Sequence, residues 1–173
     1  MTLLKHFQAI ILLPGVVTLV IPILILSTYP PNIGWNLSPP FNLLPPVAGI
    51  LLIGLGLTLM VKTISLFATV GQGTLAPWTP TRRLVVRGVY RYVRNPMISG
   101  VFSILLGEAV LFGSRPLFYW FAAFVVVNLV YMILVEEPGL ERRFGADYEV
   151  YKQNVPRWLP RWRPWHAPWE EKR

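Results

Sequence analysis

The chain has 173 residues, of which 54% are hydrophobic and 14% charged, with a formal net charge of +8 and no cysteine. A mean hydropathy of +0.50, carried by long apolar runs, excludes an ordinary soluble domain. The missing cysteines exclude disulfides, thiolate catalysis and Cys-based metal sites, and His6 and His166, near opposite ends, offer no metal-ligand spacing.

From Phe7 to Ser27 the chain is almost uninterrupted Ile, Leu and Val, long enough to cross a hydrocarbon core. Lys5 ahead of it is one feature of a signal peptide, but the apolar run outlasts a typical signal core and no small-residue cleavage pattern follows, so a first span is expected. Pro14 and Pro22 should kink it, which neighbouring helices make tolerable. Tyr29 to Pro40 holds Pro30, Pro31, Trp35, Pro39 and Pro40 and no charge, and is expected to be a non-helical loop.

A second span is expected from Pro46 to Gly71, with Gly49, Gly54 and Gly56 letting another helix approach and Lys62 snorkelling to the interface. Gly71, Gly73, Pro77 and Pro80 then break the helix. The loop that follows carries Arg82, Arg83, Arg87, Arg91 and Arg94 with no acidic residue. It ends in Asn95-Pro96, which reads as a helix start: the Asn side chain accepts a free first-turn N–H, and proline at the first position gives up nothing. Those N–H groups, with Arg94 beside them, form a site for a carboxylate or phosphate. A basic loop of this kind also serves simply to set topology or to touch acidic head groups.

Met97 to Gly113 and Pro116 to Val135 are two more apolar runs, separated tightly enough to predict a helical hairpin. Glu108 in the first and Asn128 in the second are polar groups that need a partner or water there. The loop before Pro96 holds five basic residues and eight follow Val135, against Arg115 alone on the other side, so both termini are expected to be cytoplasmic. Charges that flank apolar runs argue for a bilayer partner rather than nucleic acid. Beyond Val135 the chain turns polar. Glu136 and Glu137 should emerge beside the start of the third helix, facing the arginine loop. Asp147 is placed to cap a short helix carrying Tyr148 and Tyr151 on one face, and the Trp- and Arg-rich tail reads as an interfacial anchor.

Gly73-Thr74, Leu84-Val85, Gly88-Val89-Tyr90, Arg94-Asn95-Pro96-Met97, Glu136-Glu137, Phe144-Gly145, Tyr148, Tyr151, Val155-Pro156-Arg157 and Pro160 together resemble, in order and spacing, the isoprenylcysteine carboxyl methyltransferase and phospholipid methyltransferase family. The resemblance covers residues 71–160. It implies an S-adenosylmethionine-dependent methyltransferase whose cofactor contacts fall on Leu84, Val85, Tyr90, Asn95, Pro96, Met97, Ile98 and Glu136. The anion-binding reading of the helix start adds Arg94, suited to the methionine carboxylate. Three positions depart from the family pattern: Asn95 stands where His is common, Ile98 where Tyr is common, and Met132 where an arginine contacts the prenylcysteine carboxylate.

The expectation is therefore an all-α, polytopic helical membrane protein. It is one domain over residues 1–173 with about four transmembrane helices, the last two as a hairpin followed by an interfacial C-terminal segment. Two spans fall in 1–70, the cofactor-binding half in 71–160 and the tail in 161–173. The expected reaction is methyl transfer to a carboxylate or amine of a lipid-like acceptor, without metal or nucleic acid. Two other readings stay open: a membrane reductase using a nicotinamide cofactor, and a non-catalytic lipid-binding protein.

Overall fold

Glycines spaced seven apart on two apolar stretches fix how the main helices meet. In a computed structural model that describes residues 11–66 and 84–169, every regular element is helical. Helix α2 (Leu44–Leu66) and helix α3 (Pro96–Phe112) pack antiparallel through two glycine pairs. A Cβ added at Gly49 would lie 2.7 Å from the carbonyl oxygen of Gly107, and one at Gly56 would lie 2.5 Å from that of Gly100. The backbones touch because no side chain intervenes. Between the two pairs, Ser103 Oγ donates to the Leu52 carbonyl at 2.9 Å. Gly54 has open space where its Cβ would be. It faces away from α3, so only two of the three expected glycines serve the helix contact.

The N-terminal stretch winds as a π-helix over Ile11–Val20 and continues as α1 (Ile21–Thr28). Pro14 falls inside the wider winding, which accommodates a residue that cannot donate to the ladder. Phe7 to Ile10, at the start of the expected span, lie outside the described residues. Trp120 of α4 (Arg115–Tyr131) ties this stretch to the bundle by donating from Nε1 to the Val17 carbonyl at 3.2 Å. Residues 29–40 are non-helical apart from a 3₁₀ turn at Ile33–Asn36. Asn32 N donates to the Phe112 carbonyl at 2.8 Å and Trp35 Nε1 to that of Val110 at 2.8 Å, so this loop closes the last turn of α3. Gly113 ends that helix with φ 57°, and a Cβ there would meet the Asn32 carbonyl oxygen at 2.2 Å, so the turn requires glycine twice over.

The chain runs back from Gly113 along α4. Phe102 of α3 meets Phe121 and Phe124 edge-on, with centroids 6.3 and 5.9 Å apart. Asn128 bonds to the Phe124 carbonyl of its own helix at 2.8 Å, not to a neighbouring helix. Most outward-facing side chains on α2 and α4 are apolar: Leu51 is 68% exposed and Val127 63%. Phe41–Leu66 and the continuous helical stretch Arg115–Phe144 are long and apolar enough to cross a membrane, while Pro14–Thr28 and Pro96–Phe112 are shorter apolar helices.

After α4, a π-helical segment at Met132–Glu136 leads into α5 (Glu137–Phe144) and α6 (Ala146–Asn154). Gly145 caps α6 and Asp147 lies within its first turn, so Asp147 favours the helix dipole instead of serving as the expected cap. Val86, Tyr148, Tyr151, Val155 and Ala167 form a separate small core, against which Trp165 and Trp169 pack. Much of the expected interfacial tail is thus folded back onto the protein. Trp162, fully exposed, is left to face outward.

Candidate functional site

Asn95 builds the centre of the site from a local rule. Its Oδ1 accepts from Ile98 N at 3.3 Å, capping α3, and Pro96 follows in the first turn, as the Asn-Pro pair predicts. The Asn95 amide points to the Met132 sulfur, so two positions that depart from the family pattern touch each other. Asn95 is 8% exposed and Met132 2%. Met97 and Ile98 fill the rest of the first turn, half-buried.

The preceding loop is held by the C-terminal segment. Arg94 N donates to the Pro156 carbonyl at 2.9 Å, Asn95 N to Arg157 at 3.2 Å, Arg161 N to Tyr92 at 3.0 Å and Trp165 N to Arg91 at 3.0 Å. The 3₁₀ turn Gly88–Arg91 buries Tyr90, and Tyr151 OH donates to the Tyr90 carbonyl at 2.7 Å. Burial raises the phenols of Tyr90 and Tyr151 and pushes Tyr148 up to about 12, so all three remain protonated donors. Glu136, half-buried, bears electrostatically on Tyr90. Leu84 packs on the Tyr148–Tyr151 core, and Val85 is buried beside it in the chain.

Charge is concentrated on Glu137, which is 3% exposed. Its Oε1 accepts from Arg94 Nη1 at 3.0 Å and from Arg157 Nε at 2.8 Å, while Oε2 accepts from Arg157 Nη2 at 3.0 Å. Lys152 Nζ stands 3.7 Å from Oε2 and 2.6 Å from Glu141. The expected meeting of a carboxylate with the arginine loop is therefore made by Glu137. Glu136 takes no hydrogen bond or ion pair among the described residues. Adjacent helical residues diverge by about 100°, so one glutamate closes the ion-pair cluster and the other is left for something else. Arg82 and Arg83, also expected in this loop, lie outside the described residues.

Two polar atoms in the neighbourhood are buried without a partner: Arg94 Nε and Trp158 Nε1. Such groups are costly unless something satisfies them. An unmatched guanidinium N–H, an unmatched carboxylate and the apolar pair Leu84-Val85 make a donor set that fits a molecule carrying an anionic group, hydroxyls or an ammonium, and a flat ring. Glu137, Tyr148, Tyr151 and Arg157 all stand in the family pattern without being expected as site residues, because their roles depend on contacts across at least 20 residues of chain. Among the described residues, no group of three or more His, Asp or Glu could hold a metal ion.

Residues 45–147 match the sequence profile of phospholipid methyltransferase. Over 73 residues the chain is 36% identical to the protein-S-isoprenylcysteine O-methyltransferase of Schizosaccharomyces pombe, covering 42% of this chain and 31% of that protein. This chain thus matches about a third of its curated relative's length. No solved structure matches it.

Proposed function

Because this chain belongs to the phospholipid methyltransferase family, we propose that it transfers a methyl group from S-adenosylmethionine to the amine or carboxylate of an amphipathic, membrane-resident acceptor. The observation that carries this reading is the capped start of α3, preceded by Arg94 with its buried, unpartnered Nε, while Glu136, without an ion pair among the described residues, bears electrostatically on the buried Tyr90. Bound here, the cofactor supplies a methyl already activated by its sulfonium.

The chain's own residues have three tasks. Arg94 and the first-turn N–H of Met97 would hold the carboxylate, with the helix dipole in support. Glu136 would take a ribose hydroxyl or the ammonium, and Tyr90, Leu84 and Val85 would flank the adenine. The C-terminal segment, bonded to residues 91, 92, 94 and 95, would cover the site and keep water out. Since the leaving group needs no help, positioning and dryness are the protein's contribution, and a catalytic triad is not required. Met132, buried against Asn95, offers no cation to an acceptor carboxylate at that turn.

The reading places both termini in the cytoplasm, with four spans formed by the N-terminal stretch, α2, α3 and α4. The acceptor then enters sideways from the lipid. Incubating the purified protein with methyl-labelled S-adenosylmethionine and a total lipid extract tests the proposal: label should appear in one lipid class. Failure to retain labelled cofactor, with retention of labelled nicotinamide dinucleotide, would replace it by the reductase reading. Retention of neither would leave a non-catalytic lipid binder.

A further inference from the structure

A groove of about 560 Å³, which the buried Tyr90 does not line, lies between the Gly88–Arg91 turn and the last turns of α2. Its lining combines Lys62 and Arg91 with Val61, Leu66, Val89 and Tyr92, and no acidic residue is among the residues that line it. Gly88, with φ 55°, lets the turn sit against Leu66, to whose Cδ1 an added Cβ would come within 3.0 Å. Lys62 is exposed and makes no hydrogen bond or ion pair among the described residues.

The groove continues a stripe along α2. Val47, Leu51, Leu55 and Val61 are 53, 68, 54 and 62% exposed, and their spacing puts them on one face of the helix. Gly54, with open space where its Cβ would be, lies on the same face and interrupts the row of side chains. At about 1.5 Å per residue, Lys62 stands roughly 27 Å along α2, the depth at which a hydrocarbon core of about 30 Å gives way to phosphates. An apolar track that ends in two cations at head-group depth matches one occupant in shape and charge. We propose that the groove binds a single acidic phospholipid, its acyl chain along the Leu51–Val61 stripe and its phosphate at Lys62 and Arg91. The net charge of +8 favours the same partner. This site is separate from the one proposed for the cofactor, and it bears on the turn that carries Tyr90.

The test is native mass spectrometry of the full chain released from mixed micelles with equal phosphatidylglycerol and phosphatidylcholine. The wild type should retain one phosphatidylglycerol in preference to phosphatidylcholine. Lys62→Glu should reduce that preference about tenfold, the scale of one charge-assisted hydrogen bond, and Lys62→Gln should reduce it less. Arg142→Gln, an exposed change on α5, should leave it unaltered. Equal retention of the two lipids by the wild type would overturn the proposal, since that measurement needs no variant. So would Lys62→Glu behaving like Arg142→Gln, or release of the lipid by millimolar inorganic phosphate, which would mark a simple anion site.

Discussion

Arg94 Nη1 donates to Glu137 Oε1 at 3.0 Å, with the two side chains 9 and 4% exposed, and so joins the start of α3 to the start of α5. The arginine proposed to hold the cofactor carboxylate is thus also a structural tie, and its Nε remains buried without a partner. Losing Arg94 should therefore have two effects that can be separated.

Arg94→Ala is expected to lower the unfolding midpoint in detergent even without ligand, because Glu137 keeps Arg157 but loses one of its charged donors. The Arg94–Glu137 coupling in a double-mutant cycle with Glu137→Gln should be about 1–3 kcal/mol. The variant should also lose most of the stabilisation given by S-adenosylhomocysteine. Arg163→Ala, on the exposed tail, should change neither quantity, and equal losses for both arginines would show a diffuse field in place of a site.

Glu136→Gln separates the two neighbouring glutamates. Glu136 has no ion pair among the described residues, so the midpoint without ligand should match the wild type. The shift produced by S-adenosylhomocysteine, roughly 2.7 kcal/mol at about 100 times the dissociation constant, should shrink or vanish. A lowered midpoint with an intact shift would make Glu136 structural.

Gly56→Ala should destabilise the bundle, since its Cβ would stand 2.5 Å from a backbone oxygen that cannot move independently of α3. A cost of about 1–3 kcal/mol is expected for such overpacking. Gly54→Ala, two residues away and open, should be neutral or stabilising by up to about 1 kcal/mol. Comparing thermal midpoints of the two variants checks this, and equal losses would mean that α2 and α3 do not meet through Gly56.

Cysteines introduced at Asn36 and Gln153, both exposed, test the four-span topology. A membrane-impermeant maleimide applied to intact cells should label the first only, and the second only after permeabilisation. Labelling of both from the same side would remove the arrangement proposed here.

Local rules made much of this protein legible. An Asn-Pro pair before an apolar run starts a helix wherever it sits, because the capping bond spans only three residues. Apolar length and charge placement likewise act along the chain, so the helical class, the start of α3 and the polar C-terminal segment follow from sequence alone. Tertiary structure decided which of several equivalent residues is used. Gly49 and Gly56 meet α3 while Gly54 does not, because only the first two lie a full seven residues apart on the same face. Glu137 enters the cation cluster and Glu136 does not, because successive side chains on a helix diverge. The tail's tryptophans divide between the protein core and the outside by the way Arg161 and Trp165 bond back to residues 91 and 92, a pairing set by the folded chain and invisible in the spacing of Trp and Arg.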